Sequence, residues 1–212
     1  MVEMSISSLR GKWAQGIQPR DFMWVLKDQL ALCERLGGKG SSHRPIRRQE
    51  EIVWVLNNSF DLTISMIPGS HNLEAYKKLG LAHRHWPVVE GEDPTINLPR
   101  IYEQMGIALD NGKSMLMHRI SLDDVVMGFM GGFLIWGGYL ENATDTTVMI
   151  ERLFSKQVGS KGRVIINTIA DDDQIRKTVM AEQAAAAALE AVETGGTDET
   201  ADTDDAASDS DD

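Results

Sequence analysis

The sequence predicts an α/β domain with a central, mostly parallel sheet flanked by helices, then C-terminal helices and a disordered acidic tail. Three observations carry this. Short apolar or β-branched runs alternate with helical periodicity across residues 22–140. One such run, "SMLMH" at 114–118, feeds through a short loop into the most apolar stretch, "VVMGFMGGFLIWGGYL" at 125–140. From Thr194 onward the chain becomes "TGGTDETADTDDAASDSDD". That segment cannot bury enough apolar area to offset the entropy of ordering it.

The elements follow in order. Residues 1–20 are polar and read as a flexible lead-in. "FMWVLKDQLALC" (22–33) alternates apolar residues in two blocks and predicts two short strands. "ERLGGKGSSHRP" is a loop by its glycines and serines. "IRRQEEIVWVLNNS" (46–59) places Ile46, Ile52, Val53, Val55 and Leu56 at helical spacing. "DLTISMIP" (61–68) is a buried strand ended by Pro68, and "HNLEAYKKLGL" a short helix stopped by Gly80. "LAHRHWPV" (81–88) alternates like a strand, "VEGEDPTINLP" is a loop with two prolines, and "RIYEQMGIALDNGK" is a helix. The expected domain spans 21–160, with a helical extension over 161–193 and the tail over 194–212.

Composition narrows the function classes. The 42% hydrophobic content supports a real core. The single cysteine, Cys33, excludes an internal disulfide framework and a cysteine-based zinc site, and it favours a reducing, cytoplasmic setting. The N-terminus shows no apolar signal segment. The run at 125–140 has 16 residues. A bilayer-crossing helix needs roughly 20, so a buried central helix is expected rather than stable membrane insertion. Gly128 and Gly132 then mark close packing against neighbours. Of the net charge of −11, nine acidic residues lie from Glu193 onward with no Lys or Arg, which leaves −2 for residues 1–192. Without a basic excess, nucleic acid is not an expected partner.

The loop between "SMLMH" and the apolar helix poses a chemical question. A strand running into a helix N-terminus normally cradles an anion. Here the loop carries Asp123 and Asp124 instead. Ser121 followed three residues later by Asp124 is a capping pattern: Ser121 accepts from a first-turn amide and Asp124 reaches back to the Ser121 amide. Both carboxylates favour the positive end of the helix dipole. Arg119 is left to pair with Asp123 or Asp124.

With these segments in view, the chain resembles the dual-specificity branch of the protein tyrosine phosphatases over roughly residues 22–160. The resemblance rests on "FMWVLKDQLALC", "ISMIPGSHNLEAYKKLGLAHRHWPV", "DPTINLPRIYEQM", "GKSMLMH" and the apolar helix. It implies that His118 is the last residue before the family's nucleophilic cysteine and that Asp93, 26 positions before Arg119, stands where the general acid is expected. It also implies that Arg119 occupies the cysteine position and that Val125, six residues later, occupies the phosphate-binding arginine position. That chemistry needs a thiolate nucleophile and a guanidinium clamp. The stretch His118, Arg119, Ile120, Ser121, Leu122, Asp123, Asp124, Val125 is therefore expected to be a degenerate, self-capped phosphate loop. Asp93 also reads as a turn residue before Pro94.

Other candidates are weaker. "GGKGSS" fails the Walker spacing because Gly follows Lys39. His43, Arg44, Arg47 and Arg48 form a positive cluster near a helix start; they are an anion or partner patch, or Arg47 and Arg48 pair with Glu50 and Glu51. His83 and His85 share one side of a strand, but no third metal ligand is near, so no metal site is expected. The resulting expectation is a pseudophosphatase: a catalytically inactive binding or regulatory module with a protein partner and no cofactor. The alternative is an active phosphoester hydrolase with an unorthodox nucleophile, Asp123 or Asp124.

Overall fold

The computed structural model describes residues 15–39, 45–173 and 177. Most of the lead-in and the tail at 194–212 lie outside the described residues, as do His43 and Arg44.

Five strands form one sheet: β1 (Met23–Leu26), β2 (Leu30–Glu34), β3 (Leu62–Ser65), β4 (His83–His85) and β5 (Met115–Arg119). Their spatial order is β1-β2-β5-β3-β4. β1 runs antiparallel to β2, and all other pairs are parallel. The helices are α1 (Pro45–Asn57), α2 (Leu73–Lys78), α3 (Pro94–Asp110), α4 (Asp124–Trp136), α5 (Ala143–Phe154) and α6, residues 160–173.

Strand β5 sits at the centre because it can be buried on both faces, and all five of its residues are buried. Side chains alternate across a strand. Met115 and Met117 thus enter a large core with α3, α4, α5 and α6, while Leu116 enters a smaller core with α1 and α2. Arg119 follows Met115 and Met117, and His118 follows Leu116, so the last two residues of β5 serve opposite faces.

Helix α4 is apolar all round, and every residue from Val125 to Ile135 is buried. Its glycines are where other elements press in. A Cβ on Gly128 would lie 2.7 Å from the Cα of Gly162 in α6, and one on Gly131 would lie 2.6 Å from Ile166 Cγ1. No helix among the described residues is long and apolar enough to cross a membrane. Helix α6 belongs to this core: Ile166 and Ile169 are fully buried in it, and the compact unit extends to Asp173. The first part of the expected 161–193 extension is therefore a wall of the domain.

Three boundaries differ from the sequence pattern. β3 and β4 are shorter than the runs at 61–68 and 81–88. Beyond them the chain keeps backbone hydrogen bonds to its neighbours at Met66, Trp86 and Val88. α3 begins at Pro94 rather than near Arg100, so "PTINLP" is helical and Pro99 lies inside the helix. Asp93 caps that start and Pro94 fills N1, where a missing N–H costs nothing. The strong local cap outweighs the bond that Pro99 cannot donate.

Candidate functional site

Strand β5 delivers Arg119 to the carboxyl edge of the sheet, where ligands bind in open α/β sheets. Its side chain is only 10% exposed. One guanidinium nitrogen donates to Asp123 Oδ2 at 2.5 Å, and the other terminal nitrogen donates to the Val88 carbonyl at 3.5 Å. Nε is buried without a hydrogen-bond partner among the described residues. Arg119 thus ties the end of β5 to the loop that follows it and to the segment after β4.

The helix cap differs from the expected one. Ser121 is not the cap: Asp123 is, with extended backbone (φ −95°, ψ −175°), and its Oδ1 accepts from the Val126 amide at 3.2 Å. Asp124 does not reach back to Ser121. Its Oδ1 accepts from the Gly159 amide at 2.6 Å and its Oδ2 from the Gly162 amide at 2.9 Å. One carboxylate closes α4, and the next caps the start of α6. Leu122 contributes its carbonyl to Lys156 Nζ at 3.2 Å, while Ile120 is exposed. A Cβ on Gly162 would fall 2.6 Å from Asp124 Oδ1 and 2.7 Å from its backbone carbonyl oxygen, and one on Gly159 would fall 2.8 Å from Asp124 Oδ2, so either would displace the Asp124 carboxylate.

On the opposite face His118 is fully buried, and its Nε2 pairs with the Tyr76 hydroxyl at 2.9 Å. Burial, with help from the Arg35 and His85 charges, holds its pKa down to about 3, so the ring stays neutral. Asn72 donates to the Leu36 carbonyl at 2.7 Å and accepts from Arg48 at 3.2 Å. Cys33 is the register partner of His118, fully buried, and its thiol pKa is pushed well up by desolvation and the Glu51 and Glu34 charges.

Asp93 is exposed. Its Oδ1 accepts from the Thr95 amide at 2.9 Å and from the Thr95 hydroxyl at 2.8 Å. These bonds hold its pKa below the ordinary carboxylate value. Beside it opens a cleft of about 270 Å³ running from Pro87–Pro94 to Leu98, Val125 and α6. Val125, 3% exposed, forms part of its floor, and Lys161, Val164 and Ile165 form a wall. Glu90 and Lys161 make an ion pair at its rim. These α6 residues are absent from the sequence-predicted site. The only local signal was Gly159-Ser160-Lys161-Gly162, a loop-to-helix start.

Of the predicted basic patch, only Arg47 and Arg48 lie among the described residues. Arg47 Nε is bonded to Glu51 Oε1 at 2.7 Å, and Glu51 is itself buried, its other oxygen accepting from the Gly37 amide at 2.6 Å. The expected ion pair forms with Glu51, and Arg48 turns to Asn72. His83 and His85 bond the Leu81 and Ile67 carbonyls at 2.9 and 2.7 Å. Among the described residues no group of three or more His, Cys, Asp or Glu could hold a metal ion.

No family model and no curated protein matches the sequence. Solved structures do. The kinase associated phosphatase KAP, with its catalytic-site cysteine replaced by serine, superposes at TM-score 0.58 and 16% identity over 68% of this chain and 87% of its own. The fold is that of the dual-specificity and protein tyrosine phosphatases. Human DUSP28 matches this phosphatase fold at TM-score 0.54 and 16% identity, covering 74% of this chain and 99% of its own. So does the core catalytic domain of the PP-IP phosphatase SIW14 from S. cerevisiae, at TM-score 0.54 and 16% identity over 79% and 96%. Within this fold the β5–α4 loop lies at the carboxyl edge of the parallel strands.

Proposed function

We propose that this phosphatase-fold protein is a catalytically inactive binding or regulatory module that acts on a protein partner in a reducing, cytoplasmic setting. The observation that carries this reading is the Arg119–Asp123 pair where β5 enters α4. A guanidinium at the nucleophile position cannot attack phosphorus. Val125 at the clamp position cannot hold phosphoryl oxygens. The first-turn amide of Val126 is taken by the chain's own carboxylate. Cys33 cannot substitute: it is sealed in the core on the other face of the sheet, and its thiol is held protonated. Asp93, ionised and bound to Thr95, is a helix cap rather than a proton donor. No cofactor is invoked, and neither nucleic acid nor membrane is the proposed partner.

The rival reading is hydrolysis through an unorthodox carboxylate. Asp124 has both oxygens engaged, by the amide of Gly159 just before α6 and that of Gly162 in its first turn. Asp123, with 38% of its side chain exposed, is the only one of the two placed to react, and it is held by Arg119. The test is turnover of p-nitrophenyl phosphate with and without magnesium, beside calorimetry with inorganic phosphate. The expected result is no turnover above background and no measurable phosphate binding. Turnover abolished by Asp123→Ala would establish the rival.

A further inference from the structure

We infer that the cleft beside Asp93 is a docking pocket for a peptide segment that carries an aliphatic or aromatic side chain next to a Lys or Arg. The inference rests on the non-catalytic reading above and names the partner chemistry of that region.

The floor is apolar. Val88, Leu98 and Val125 are 4%, 5% and 3% exposed, and the cleft of about 270 Å³ above them has room for an apolar side chain. Val125 is decisive here, because a guanidinium at its position would make this floor cationic. Two large apolar residues stand on the lip where water would otherwise cover them. Val89 is 39% and Val164 57% exposed. An apolar insert removes both lips and the floor from water together.

The rim sets the charge. Glu90, Glu92 and Asp93 line it against one cation, Lys161, and that lysine is paired with Glu90. Among the described residues neither Glu92 nor Asp93 has a cationic partner in an ion pair. Glu92 accepts from the Asn97 side-chain Nδ2 through Oε2 only, at 3.1 Å, and Asp93 uses one oxygen for Thr95. Each keeps a second oxygen for an incoming donor. A phosphate or other anion would be repelled by this rim, while a Lys or Arg beside the apolar anchor would be drawn to it. The site therefore selects against the ligand class that its fold usually receives.

The experiment screens the full chain against a random hexapeptide display library at low and moderate salt. The expected result is enrichment of peptides in which Leu, Ile, Phe or Trp neighbours Lys or Arg. Val164→Asp, at a surface position, should reduce that enrichment roughly tenfold, the factor set by loss of one buried apolar contact. Glu92→Lys should shift the preferred neighbour from basic to acidic. Absence of apolar–basic peptides among the binders, or the same peptides retained by both variants, overturns the inference. Aryl phosphate turnover by the same preparation separates the two readings. Turnover without the peptides sinks both; turnover with them sinks only the non-catalytic reading. Neither turnover nor peptides sinks the docking pocket alone.

Discussion

Gly128 of α4 and Gly162 of α6 meet backbone to backbone, so close that a Cβ on the first would sit 2.7 Å from the Cα and 2.8 Å from the carbonyl oxygen of the second. Neither contacting atom belongs to a flexible side chain that could step aside. Gly128→Ala therefore forces the helices apart and should cost about 1–3 kcal/mol, the range for overpacking a tight interior. Urea unfolding of the variant beside the parent checks this. An unchanged midpoint would show that the two helices separate freely.

The Arg119–Asp123 pair should respond asymmetrically to its two partners. Asp123→Asn keeps an oxygen for the Val126 amide but leaves a nearly buried guanidinium without its counter-charge. The expected loss is about 1–3 kcal/mol, between the values for exposed and buried pairs. Arg119→Met leaves only a partly solvated carboxylate and should cost less than Asp123→Asn. Chemical denaturation of both variants decides the order.

His118 predicts a pH dependence of stability. Its folded pKa of about 3 lies below the ordinary 6.5. Above pH 6.5 the ring is neutral in both states, and its contribution is fully present. As pH falls from 6.5 toward 3 the unfolded chain takes up a proton that the folded chain refuses. Stability should drop by up to about 1.4 kcal/mol per pH unit from this group alone. His118→Gln should flatten the slope between pH 6.5 and 5, a window above the carboxylate range. Equal slopes in parent and variant would remove His118 as the source.

Cys33 should be chemically silent in the native protein. It is fully buried and its thiol is held protonated by its surroundings. A chromogenic disulfide reagent at pH 8 should react only after urea unfolds the chain. Rapid native labelling would place the thiol at the surface.

Much of the architecture was legible because the signals were local. "SMLMH" is a run that only a doubly buried strand accommodates, and the glycine-studded apolar run after it has no polar face to turn to water. The cap was harder to read. Ser121 and Asp123 are both good capping residues. The choice depends on where the chain leaves β5, and Arg119 settles it by drawing Asp123 inward. The role of Asp124 was not legible at all, since its partners Gly159 and Gly162 lie more than thirty residues away. For the same reason α6 was read as an appendage. Its burial is a property of Gly128 and Ile166 together, not of either segment. For Arg47 and Arg48 the sequence offered both a partner patch and pairing with Glu50 and Glu51, and burial of Glu51, which selects Arg47 as its partner, is not written in the local sequence.

Asp124 gives the cleft a mechanical character. It is rooted in the first turn of α4 and grips the first turn of the helix that walls the cleft. Widening that opening by rocking α6 outward would stretch two short hydrogen bonds and pull on the turn beside Arg119. The width of the cleft and the seating of the turn are thus tied through a single carboxylate.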